Sequence, residues 1–557
     1  MPMTQSQDKT HAGELAPRPR SSRRTLPNMR TRLAIGVAML LAVGLIVSCD
    51  SGSGAPPQTN TKVVASAKPI AAGPPRPVNV VMMTIDTLRA GRLGAYGCEK
   101  PTSPNIDALA GESVLFEQAV APASWTLASV PSIFTSTFPC EHGLIEDRVR
   151  LNDGFETIAQ RFKRAGYQTA SYFSNPYLGA VTGLNRGFDT TQFRKGAFTD
   201  GTHISQWLGE KPDGLFFLYI HNMAPHDAWR APRRLIEQFG DVSPATVRLI
   251  QGIYFKYKPL LRVDWKAGEP LGTTNNTRRQ RRFLQAFDQV RDDYKVLYDA
   301  AVRLADERVG SVVQSLKDGG QWDDTLFILL SDHGEEFGEH GAYIHGQSLY
   351  QELIHVPLIV HFPSDEHAGT RVPSVVSLID VLPTIFSYLN RPQLAEGARG
   401  RDLMPLIEGA PPADESQPRV VACRINVKKY YKPWAETRGN VNVALRMGKW
   451  KGIWNRDLET FELYNVERDP FDQNNLCGQH PDLVESMARR ARDWYRACGV
   501  AARDAADAEA SPEYLKDLAD LGYLDSDDDE PHSPAGSLPA GPRASRSEAS
   551  SACPVKP

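Results

Sequence analysis

This 557-residue sequence lacks two features, and their absence excludes several classes of protein. Lys and Arg number 63 against 66 Asp and Glu, so there is no basic excess. Residues 1–32 carry seven basic and two acidic groups, which leaves a net charge of −8 on the rest of the chain. Nucleic-acid binders neutralise phosphates with surplus Lys and Arg, so we expect no nucleic-acid partner. The seven Cys include no C-x-x-C pair, which excludes zinc-finger and thioredoxin motifs.

The sequence also lacks an apolar run of the length that usually spans a bilayer. The run Leu33–Ser48 has sixteen residues, whereas a span needs about 20. It follows two arginines and ends at Cys49, a pattern typical of an export signal with a lipobox. We therefore predict a signal peptide over residues 1–48 and lipidation of Cys49, with an uncleaved signal anchor as the alternative. Translation could begin at Met1 or at Met29.

The segments flanking the central part of the chain have compositions typical of linkers. Residues 49–77 are rich in Gly, Pro, Ser and Ala and predict a flexible tether. Residues 526–557 begin with acidic residues and continue in Pro, Ser and Ala, which predicts a disordered tail. The export signal implies an extracytoplasmic, membrane-anchored lipoprotein at the periplasmic face or cell surface.

Disulfides are possible in that compartment, although the sequence does not settle which cysteines pair. Cys98 with Cys140 and Cys477 with Cys498 are two candidate pairs.

Between tether and tail, short apolar runs stop abruptly at polar side chains. Runs of this kind are typical of strands buried on both faces of a parallel sheet. Helix-period segments, Phe155–Ala165 and Tyr298–Leu316, lie between them. Alternating strands and helices predict an α/β fold with a mostly parallel sheet flanked by helices. The four runs are Val78–Ile85, Thr169–Phe173, Leu215–Ile220 and Leu326–Leu330.

Side chains that follow such strands predict a metal site. Ligands collect at the carboxyl ends of parallel strands, which places Asp86, His221, Asp332 and His333 at one edge of the sheet. Eight of the thirteen His residues fall between positions 221 and 367. Carboxylates with imidazoles are a usual donor set for divalent metals.

Several stretches resemble the sulfatase family of the alkaline phosphatase superfamily. They are TIDTLRAGRLGAYG (84–97), SWTLASVPSIFTSTFPCEHG (124–143), LSDHGEEFGEHG (330–341) and ELYNVERDPFDQNNL (462–476). The resemblance implies an alkaline-phosphatase-like catalytic domain over residues 78–390 and a smaller α+β subdomain over residues 391–525. It also implies a hydrolase of sulfuric or phosphoric esters.

The nucleophile position departs from the family signature C-x-P-S-R, whose Cys or Ser becomes formylglycine. In one register Thr126 takes the nucleophile place and Ser129 the signature Ser; in the other, Ser129 itself is the nucleophile. We prefer Thr126 because only that register keeps the flanking similarity continuous. Thr cannot become formylglycine, so we expect none. A Thr nucleophile also favours chemistry at phosphorus over sulfur. A helix N-cap is the structural alternative for Thr126.

The resemblance implies roles for further residues. One divalent metal would be bound by Asp86, Asp332 and His333 together with Thr126. His333 stands where ordinary sulfatases carry Asn, which favours Mn²⁺ or Zn²⁺ and leaves Ca²⁺ as the alternative. The implied catalytic residues are Thr126, His226 and His345, and the implied substrate-binding residues are His221, Asn175 and Ser129.

Three functions remain open on the sequence alone. The first is a lipid-anchored, metal-dependent hydrolase acting on a small-molecule, glycan or envelope ester. The second is a transferase that moves phosphoethanolamine or phosphoglycerol onto an envelope component. The third is a catalytically inactive binding lipoprotein, a hypothesis favoured by the missing signature Arg.

Overall fold

A computed structural model describes residues 76–145, 149–194, 202–210, 214–257, 275–411, 416–425, 441–498, 506–507, 511–520 and 552–555. The predicted signal peptide, Cys49 and most of the predicted tether lie outside these residues. The strands are β1 (Asn79–Ile85), β2 (Val114–Val120), β3 (Val149–Arg150), β4 (Gln168–Phe173), β5 (Thr190–Phe193), β6 (Phe216–Asn222), β7 (Thr325–Leu330), β8 (Glu336–Phe337), β9 (Tyr343–Ile344), β10 (His355–Val356), β11 (Leu358–His361), β12 (Arg371–Ser377), β13 (Arg419–Ile425), β14 (Val441–Met447), β15 (Trp450–Asn455), β16 (Thr460–Asn465), β17 (Ala506–Asp507) and β18 (Cys553–Pro554).

The helices alternate with the strands in the first two thirds of the chain. They are α1 (Pro104–Gly111), α2 (Thr126–Thr135), α3 (Pro139–His142), α4 (Ile158–Arg164), α5 (Thr202–Gly209), α6 (Arg233–Phe239), α7 (Pro244–Tyr257), α8 (Asn275–Asp318), α9 (Gln351–Ile354), α10 (Val381–Tyr388), α11 (Met404–Ile407), α12 (Pro481–Ala497) and α13 (Pro512–Asp520).

The central sheet is mostly parallel, as predicted. From β11 the order runs β7, β1, β6, β4 and β5, while β2 pairs with β10, β11 and β12. Strands β7, β1, β6, β4 and β5 are parallel to one another, and β11 is antiparallel to both β2 and β7. Strand β1 therefore lies between β7 and β6, so that the ends of these three strands are adjacent.

Both faces of β1 are covered, which explains its uninterrupted apolar sequence. Val80 and Met82 pack into the apolar core on one side of the sheet, and Val81 and Met83 into the core on the other. A strand in such a position cannot expose polar side chains, so its sequence turns polar only where it leaves the sheet.

Helix α8 covers the second of these two cores. Its buried residues recur at intervals of three or four, as in Leu297, Ala301, Ala305, Val309 and Val312, so one stripe of the helix faces the sheet. The predicted helix over Tyr298–Leu316 is confirmed, and it begins earlier, at Asn275. Within the described residues, no helix combines the length and the apolarity needed to cross a bilayer.

A second, antiparallel sheet lies in the C-terminal part of the chain. Its strand order is β13, β14, β15, β16 and β18. Helix α12 packs on it through Val484, Met487, Ala488 and Ala491. The predicted smaller α+β subdomain is therefore present.

The disulfides differ from the candidate pairs suggested by the sequence. Cys140 pairs with Cys498, and Cys477 pairs with Cys553, while Cys98 is a free thiol. The proposed pairs Cys98–Cys140 and Cys477–Cys498 are thus wrong. The true partners are 358 and 76 residues apart. Cys140–Cys498 joins the catalytic domain to the C-terminal subdomain, whereas pairing of β18 with β16 brings Cys553 to Cys477 within the second sheet.

The tail also differs from expectation at one place. Residues Cys553 and Pro554 pair with Phe461 and Thr460 of β16, although a disordered tail was predicted over residues 526–557. The remaining residues of that predicted tail, apart from 552 and 555, lie outside the described residues.

His142 makes folding stability depend on pH. Its side chain is buried between α2 and the following loop, where Nδ1 accepts the Leu144 N–H at 3.0 Å and Nε2 lies 2.9 Å from Ser132 Oγ. Burial lowers the pKa of His142 to about 3, so the ring stays neutral in the folded protein. The unfolded chain instead takes up a proton near pH 6.5.

We therefore expect the free energy of unfolding to fall as the pH drops from about 6.5 towards 3. The contribution of His142 is about 1.4 kcal/mol per pH unit, or roughly 2 kcal/mol at pH 5. Denaturant titrations at pH 7.5 and pH 5.0 should show a smaller loss for His142→Gln than for the wild type. An equal loss in both proteins would contradict this assignment.

Candidate active site

The carboxyl ends of three adjacent strands bring the predicted metal ligands together. Asp86 follows β1, and Asp332 and His333 follow β7. His221 lies within β6, opposite Thr84 of β1, because β6 continues two residues further than predicted. Side chains at this edge are fully buried, and His333 Nε2 lies 3.5 Å from Asp86 Oδ1 and 3.5 Å from Asp332 Oδ2.

Thr126 reaches the same cluster from α2. Its Oγ1 lies 3.2 Å from His333 Nε2 and 3.4 Å from Asp86 Oδ2, and the residue is 2% exposed. Thr126 is the first residue of the helix, whereas the N-cap is Trp125. The hydroxyl thus faces the metal-ligand cluster and does not cap the helix. A helix N-terminus at this point also favours an anionic ligand.

Ser129 occupies a different place one turn along α2. Its Oγ donates to the backbone carbonyl of Asp332 at 2.7 Å. Of the two candidate nucleophiles, Thr126 is therefore the one whose hydroxyl contacts the side chains of the cluster, while the hydroxyl of Ser129 anchors the backbone that carries Asp332.

His221 and Asn175 both contact Asp86. His221 Nε2 lies 3.1 Å from Asp86 Oδ2, and Asn175 Nδ2 donates to the same oxygen at 3.2 Å. The other ring nitrogen of His221, Nδ1, lies 2.9 Å from the hydroxyl of Tyr219, and this contact fixes the orientation of the ring. These two residues, expected to bind substrate, thus orient a carboxylate of the cluster. The sequence could place them at the edge of the sheet but not show which side chain they contact.

Two buried carboxylates facing one another dominate the electrostatics. Burial raises the pKa of both Asp86 and Asp332, but the hydrogen bond from His221 and the charges of His226 and His333 bring that of Asp86 below its usual range. Burial and the neighbouring charge of Asp86 hold the pKa of Asp332 well above its usual range. Two buried carboxylates this close carry a negative charge at the same time only when a cation lies between them.

The donor atoms fit such a cation. Asp86 Oδ1 and Asp332 Oδ2 are buried and have no hydrogen-bond partner. His333 Nδ1 donates to the carbonyl of Gly334 at 2.9 Å, which fixes the tautomer whose lone pair on Nε2 faces both carboxylates. Asp86, Asp332 and His333 therefore form a group whose donor atoms lie within 4.8 Å of one another. Two carboxylates with one imidazole suit Mn²⁺ or Zn²⁺.

Two further histidines are each oriented by a carboxylate. His345 Nδ1 lies 2.9 Å from Glu335 Oε2, and His226 Nδ1 lies 3.0 Å from Asp227 Oδ1. Their ring centroids are 5.2 Å apart, and the His345 ring is 4.6 Å from that of His333. The predicted catalytic residues Thr126, His226 and His345 thus surround one site.

Glu335 and Asp227 are functional candidates that the sequence reasoning missed. The hydroxyl of Tyr294 donates to Glu335 Oε1 at 3.3 Å, and Arg230 pairs with Asp227 Oδ2 at 2.9 Å, so both carboxylates are themselves held in place. The only sequence signal was proximity, since Asp227 follows His226 directly. Nothing in the spacing pairs Glu335 with a histidine ten residues further on.

Thr87 adopts an unfavourable backbone conformation next to the cluster. Its φ is 59°, which is rare for a β-branched residue. Its Oγ1 donates to the carbonyl of Asp86 at 2.7 Å and not to the carboxylates. The buried surroundings hold this conformation in place, and the N–H of the next residue, Leu88, donates a hydrogen bond to Ser331 Oγ at 2.9 Å.

A mostly parallel sheet that carries carboxylates, an imidazole and a hydroxyl at one edge is the arrangement of the alkaline phosphatase superfamily of ester hydrolases. The Sulfatase family model matches residues 78–390, and the model for the C-terminal region of N-sulphoglucosamine sulphohydrolase matches residues 338–493. The chain belongs to the sulfatase family and is a sulfatase-like hydrolase of sulfuric or phosphoric esters.

Curated relatives support this class. An N-acetylglucosamine-6-O-sulfatase of Bacteroides thetaiotaomicron is 24% identical over 471 residues, which cover 72% of this chain and 83% of the relative. A choline-sulfatase of Rhizobium meliloti is 23% identical over 454 residues, covering 72% and 82%.

Solved structures support the fold. The phosphonate monoester hydrolase of Agrobacterium radiobacter matches with a TM-score of 0.56 at 20% identity, covering 75% of this chain and 95% of that one. A protein solved with its substrate D-glucosamine-2-N,6-O-disulfate matches with a TM-score of 0.56 at 19% identity, covering 76% and 99%.

We predict that Asp332→Asn stabilises the protein when metal is absent and destabilises it when metal is bound. In chelator, the wild type buries two facing carboxylates without a cation, so the variant should be more stable by about 1–3 kcal/mol. In saturating Mn²⁺ the wild type should be the more stable protein, because it alone keeps the full donor set. Thermal unfolding under the two conditions measures both differences.

Asp299→Asn serves as the matched control. Asp299 is a buried carboxylate that is already paired with Arg92 and Lys100. Its replacement should destabilise the protein with or without metal. A wild type that is at least as stable as Asp332→Asn in chelator would show that the two carboxylates do not need a cation.

Proposed function

We propose that this protein is an extracytoplasmic, metal-dependent hydrolase that cleaves its ester through the hydroxyl of Thr126. The observation that carries the proposal is the position of Thr126 Oγ1, 3.2 Å from His333 Nε2 and 3.4 Å from Asp86 Oδ2. A hydroxyl in contact with a candidate metal ligand and a buried carboxylate is suited to act as a nucleophile.

The chemistry of threonine favours an ester of phosphorus. Formylglycine hydrate can release sulfate because its second hydroxyl lets the adduct collapse, and threonine has no second hydroxyl on that carbon. A covalent adduct on Thr126 must instead be opened by water at the central atom, which is workable for a phosphothreonine. We therefore propose a phosphate or phosphonate ester in preference to a sulfate ester.

Asp86, Asp332 and His333 would hold one divalent cation, with Mn²⁺ or Zn²⁺ favoured by the donor set. When bound, it would supply positive charge that lowers the pKa of the Thr126 hydroxyl and offsets the charge on the ester oxygens. His221 and Asn175 keep Asp86 Oδ2 engaged, so that Asp86 Oδ1 remains available as a ligand.

His345 is the proposed general acid. Glu335 accepts a hydrogen bond from Nδ1, which orients the ring and stabilises its protonated form, leaving Nε2 as the proton donor. His226, oriented in the same way by Asp227, would bind an ester oxygen.

The reaction has two halves and starts with Thr126 deprotonated and His345 protonated. Thr126 Oγ1 attacks phosphorus, the bond from phosphorus to the leaving oxygen breaks, and His345 Nε2 protonates that oxygen. Water then attacks phosphorus and gives one proton to His345, and the bond to Thr126 Oγ1 breaks and returns the alkoxide, so the starting state of both residues is restored.

An acceptor alcohol in place of water would turn the same steps into a transfer reaction. Assays that detect both free phosphate and a modified acceptor therefore separate hydrolysis from transfer of a phosphoethanolamine or phosphoglycerol group.

Thr126→Ala should lower kcat/KM by about a thousandfold or more, because the covalent route is lost. Ser129→Ala should cost about tenfold or less, because it removes one hydrogen bond to the Asp332 carbonyl. The full-length protein is assayed with Mn²⁺, Zn²⁺ or Ca²⁺ on aryl sulfate, phosphate monoester, phosphodiester and phosphonate monoester substrates. Full turnover by Thr126→Ala together with an inactive Ser129→Ala would sink the proposal.

The same assay distinguishes the other outcomes. Glu335→Gln should slow alkyl esters about tenfold to a hundredfold more than p-nitrophenyl esters, whose leaving group needs no proton. A preference for aryl sulfate would move the substrate class from phosphorus to sulfur. Absence of turnover on every substrate with every metal would favour a binding lipoprotein.

The extracytoplasmic location is also proposed. It is supported by the two disulfides Cys140–Cys498 and Cys477–Cys553, since disulfides persist in oxidising compartments. The candidate signal before Cys49 adds a membrane anchor.

Cys49→Ala should therefore move the protein from the membrane fraction to the soluble extracytoplasmic fraction in cells of a lipoprotein-processing bacterium, and should abolish labelling with a radioactive fatty acid. Cys98→Ala, which removes a free thiol elsewhere, is the control and should leave both readouts unchanged. Labelling that survives in Cys49→Ala would contradict the lipid anchor.

A further inference from the structure

The turn that carries His345 has an unusual backbone. The φ angle of Ile344 is 66° and that of Gly346 is 92°, so both neighbours of His345 lie in the left-handed region. Glycine adopts such angles readily, but a β-branched residue does so only where its surroundings hold it there. The position of His345 therefore depends on contacts that fix residues 344–346 from outside the turn.

One of these contacts comes from the C-terminal subdomain. Arg424 of β13 is 1% exposed, and its Nε donates to the carbonyl of Gly346 at 2.8 Å. Its Nη1 donates to Asn442 Oδ1 of β14 at 2.6 Å. Arginine is almost never buried to this degree unless it is paired, and a hydrogen bond from a charged donor is stronger than one from a neutral donor. The guanidinium thus ties the turn to the second sheet.

The ring and the backbone of His345 are held by different groups. Glu335 Oε2 lies 2.9 Å from Nδ1 and orients the ring. Gln347 Nε2 donates to the carbonyl of Tyr343, a bond within the same loop. Arg424 differs from both because it reaches the turn from the other subdomain. Loss of its hydrogen bond would remove an outside support of the backbone, although the carboxylate that orients the ring is still present.

The same strand also contacts the segment that leads to Thr126. The N–H of Cys423 donates to the carbonyl of Pro122 at 2.9 Å, four residues before Thr126. Consecutive residues of β13 therefore bond the chain at two places, one near the proposed nucleophile and the other next to the proposed general acid. Strand β13 thus helps to set the position of the His345 turn relative to the start of α2.

We propose that Arg424 is a positioning residue for the general acid. Its guanidinium holds the backbone of the His345 turn, so that the imidazole stays in place to protonate the leaving oxygen. This inference rests on the proposed function, because it requires His345 to be the proton donor. In this role Arg424 does not touch the ester, so its loss should slow the step that needs a proton and leave substrate binding unchanged.

The test compares alkyl and p-nitrophenyl esters of the acid that the wild type cleaves, with the full-length protein and the metal that supports its turnover. In Arg424→Gln, kcat should fall about tenfold to a hundredfold more for the alkyl ester, because only that leaving group needs a proton. KM should change by about twofold or less for both esters. Arg424→Lys should recover part of the loss, because an ammonium group can still donate to the Gly346 carbonyl.

Arg161→Gln is the matched control. Arg161 is also a buried arginine, 5% exposed, and its Nη1 donates to the backbone carbonyls of Leu394 and Glu396, in a loop that carries none of the proposed site residues. Its replacement should lower the thermal stability and leave the ratio of the two rates at the wild-type value. The same pattern in Arg424→Gln would show a purely structural role and would overturn the proposal.

Glu335→Gln separates this inference from the proposed function. A selective loss on the alkyl ester in Glu335→Gln but not in Arg424→Gln would reject the positioning role and leave His345 as the general acid. No selective loss in either variant would reject His345 as the acid and the role of Arg424 with it. A selective loss in both, with little further loss in the double variant, would support both proposals, because the two residues act through one histidine.

Crystal structures of the wild type and of Arg424→Gln give a readout that needs no turnover. In the variant, residues 344–346 should shift, and His345 Nδ1 should move out of hydrogen-bond reach of Glu335. A turn that superposes on the wild-type turn would overturn the proposal, whatever the rates. If Arg424→Gln does not fold, Arg424→Lys is measured in the same two ways, and a smaller effect in the same direction is expected.

Discussion

The arrangement of the candidate active site depends on two buried carboxylates that face each other at the edge of the central sheet. Asp86 and Asp332 follow neighbouring parallel strands, so the topology itself forces them together. Their proximity is unfavourable without a cation, and the surrounding residues hold both carboxylates in position to share one. His221 and Asn175 orient Asp86, Ser129 anchors the backbone at Asp332, and the tautomer of His333 directs a lone pair between them.

The same constraint decides where the proposed nucleophile lies. The N-terminus of helix α2 lies at the site. Its first residue, Thr126, therefore contacts the carboxylate of Asp86, while Ser129, one turn later, bonds the backbone carbonyl of Asp332. The imidazoles of His226 and His345 complete the other side, each with its own carboxylate. In the proposed mechanism, the first group of side chains would hold a cation and the second would transfer protons.

The sequence was most informative where a buried strand turns polar. The change from Ile85 to Asp86 and from Leu330 to Ser331 marks the ends of β1 and β7, because a fully covered strand excludes polar side chains. Family resemblance supplied the fold and the class, which the comparisons confirm.

What the sequence could not supply were contacts between distant residues. The pairing of Glu335 with His345, the attachment of His221 and Asn175 to Asp86, and the partner of Cys140 all depend on three-dimensional packing that has no local signature.

Strand β18 shows how the second sheet is closed at one side. Pairing of Cys553 and Pro554 with β16 covers part of an edge strand, and the bond from Cys477 to Cys553 keeps this short segment in place. An open edge presents unpaired backbone groups to any other strand and invites aggregation. The disulfide therefore contributes to keeping separate copies of the protein from joining edge to edge, a role in solubility rather than in catalysis.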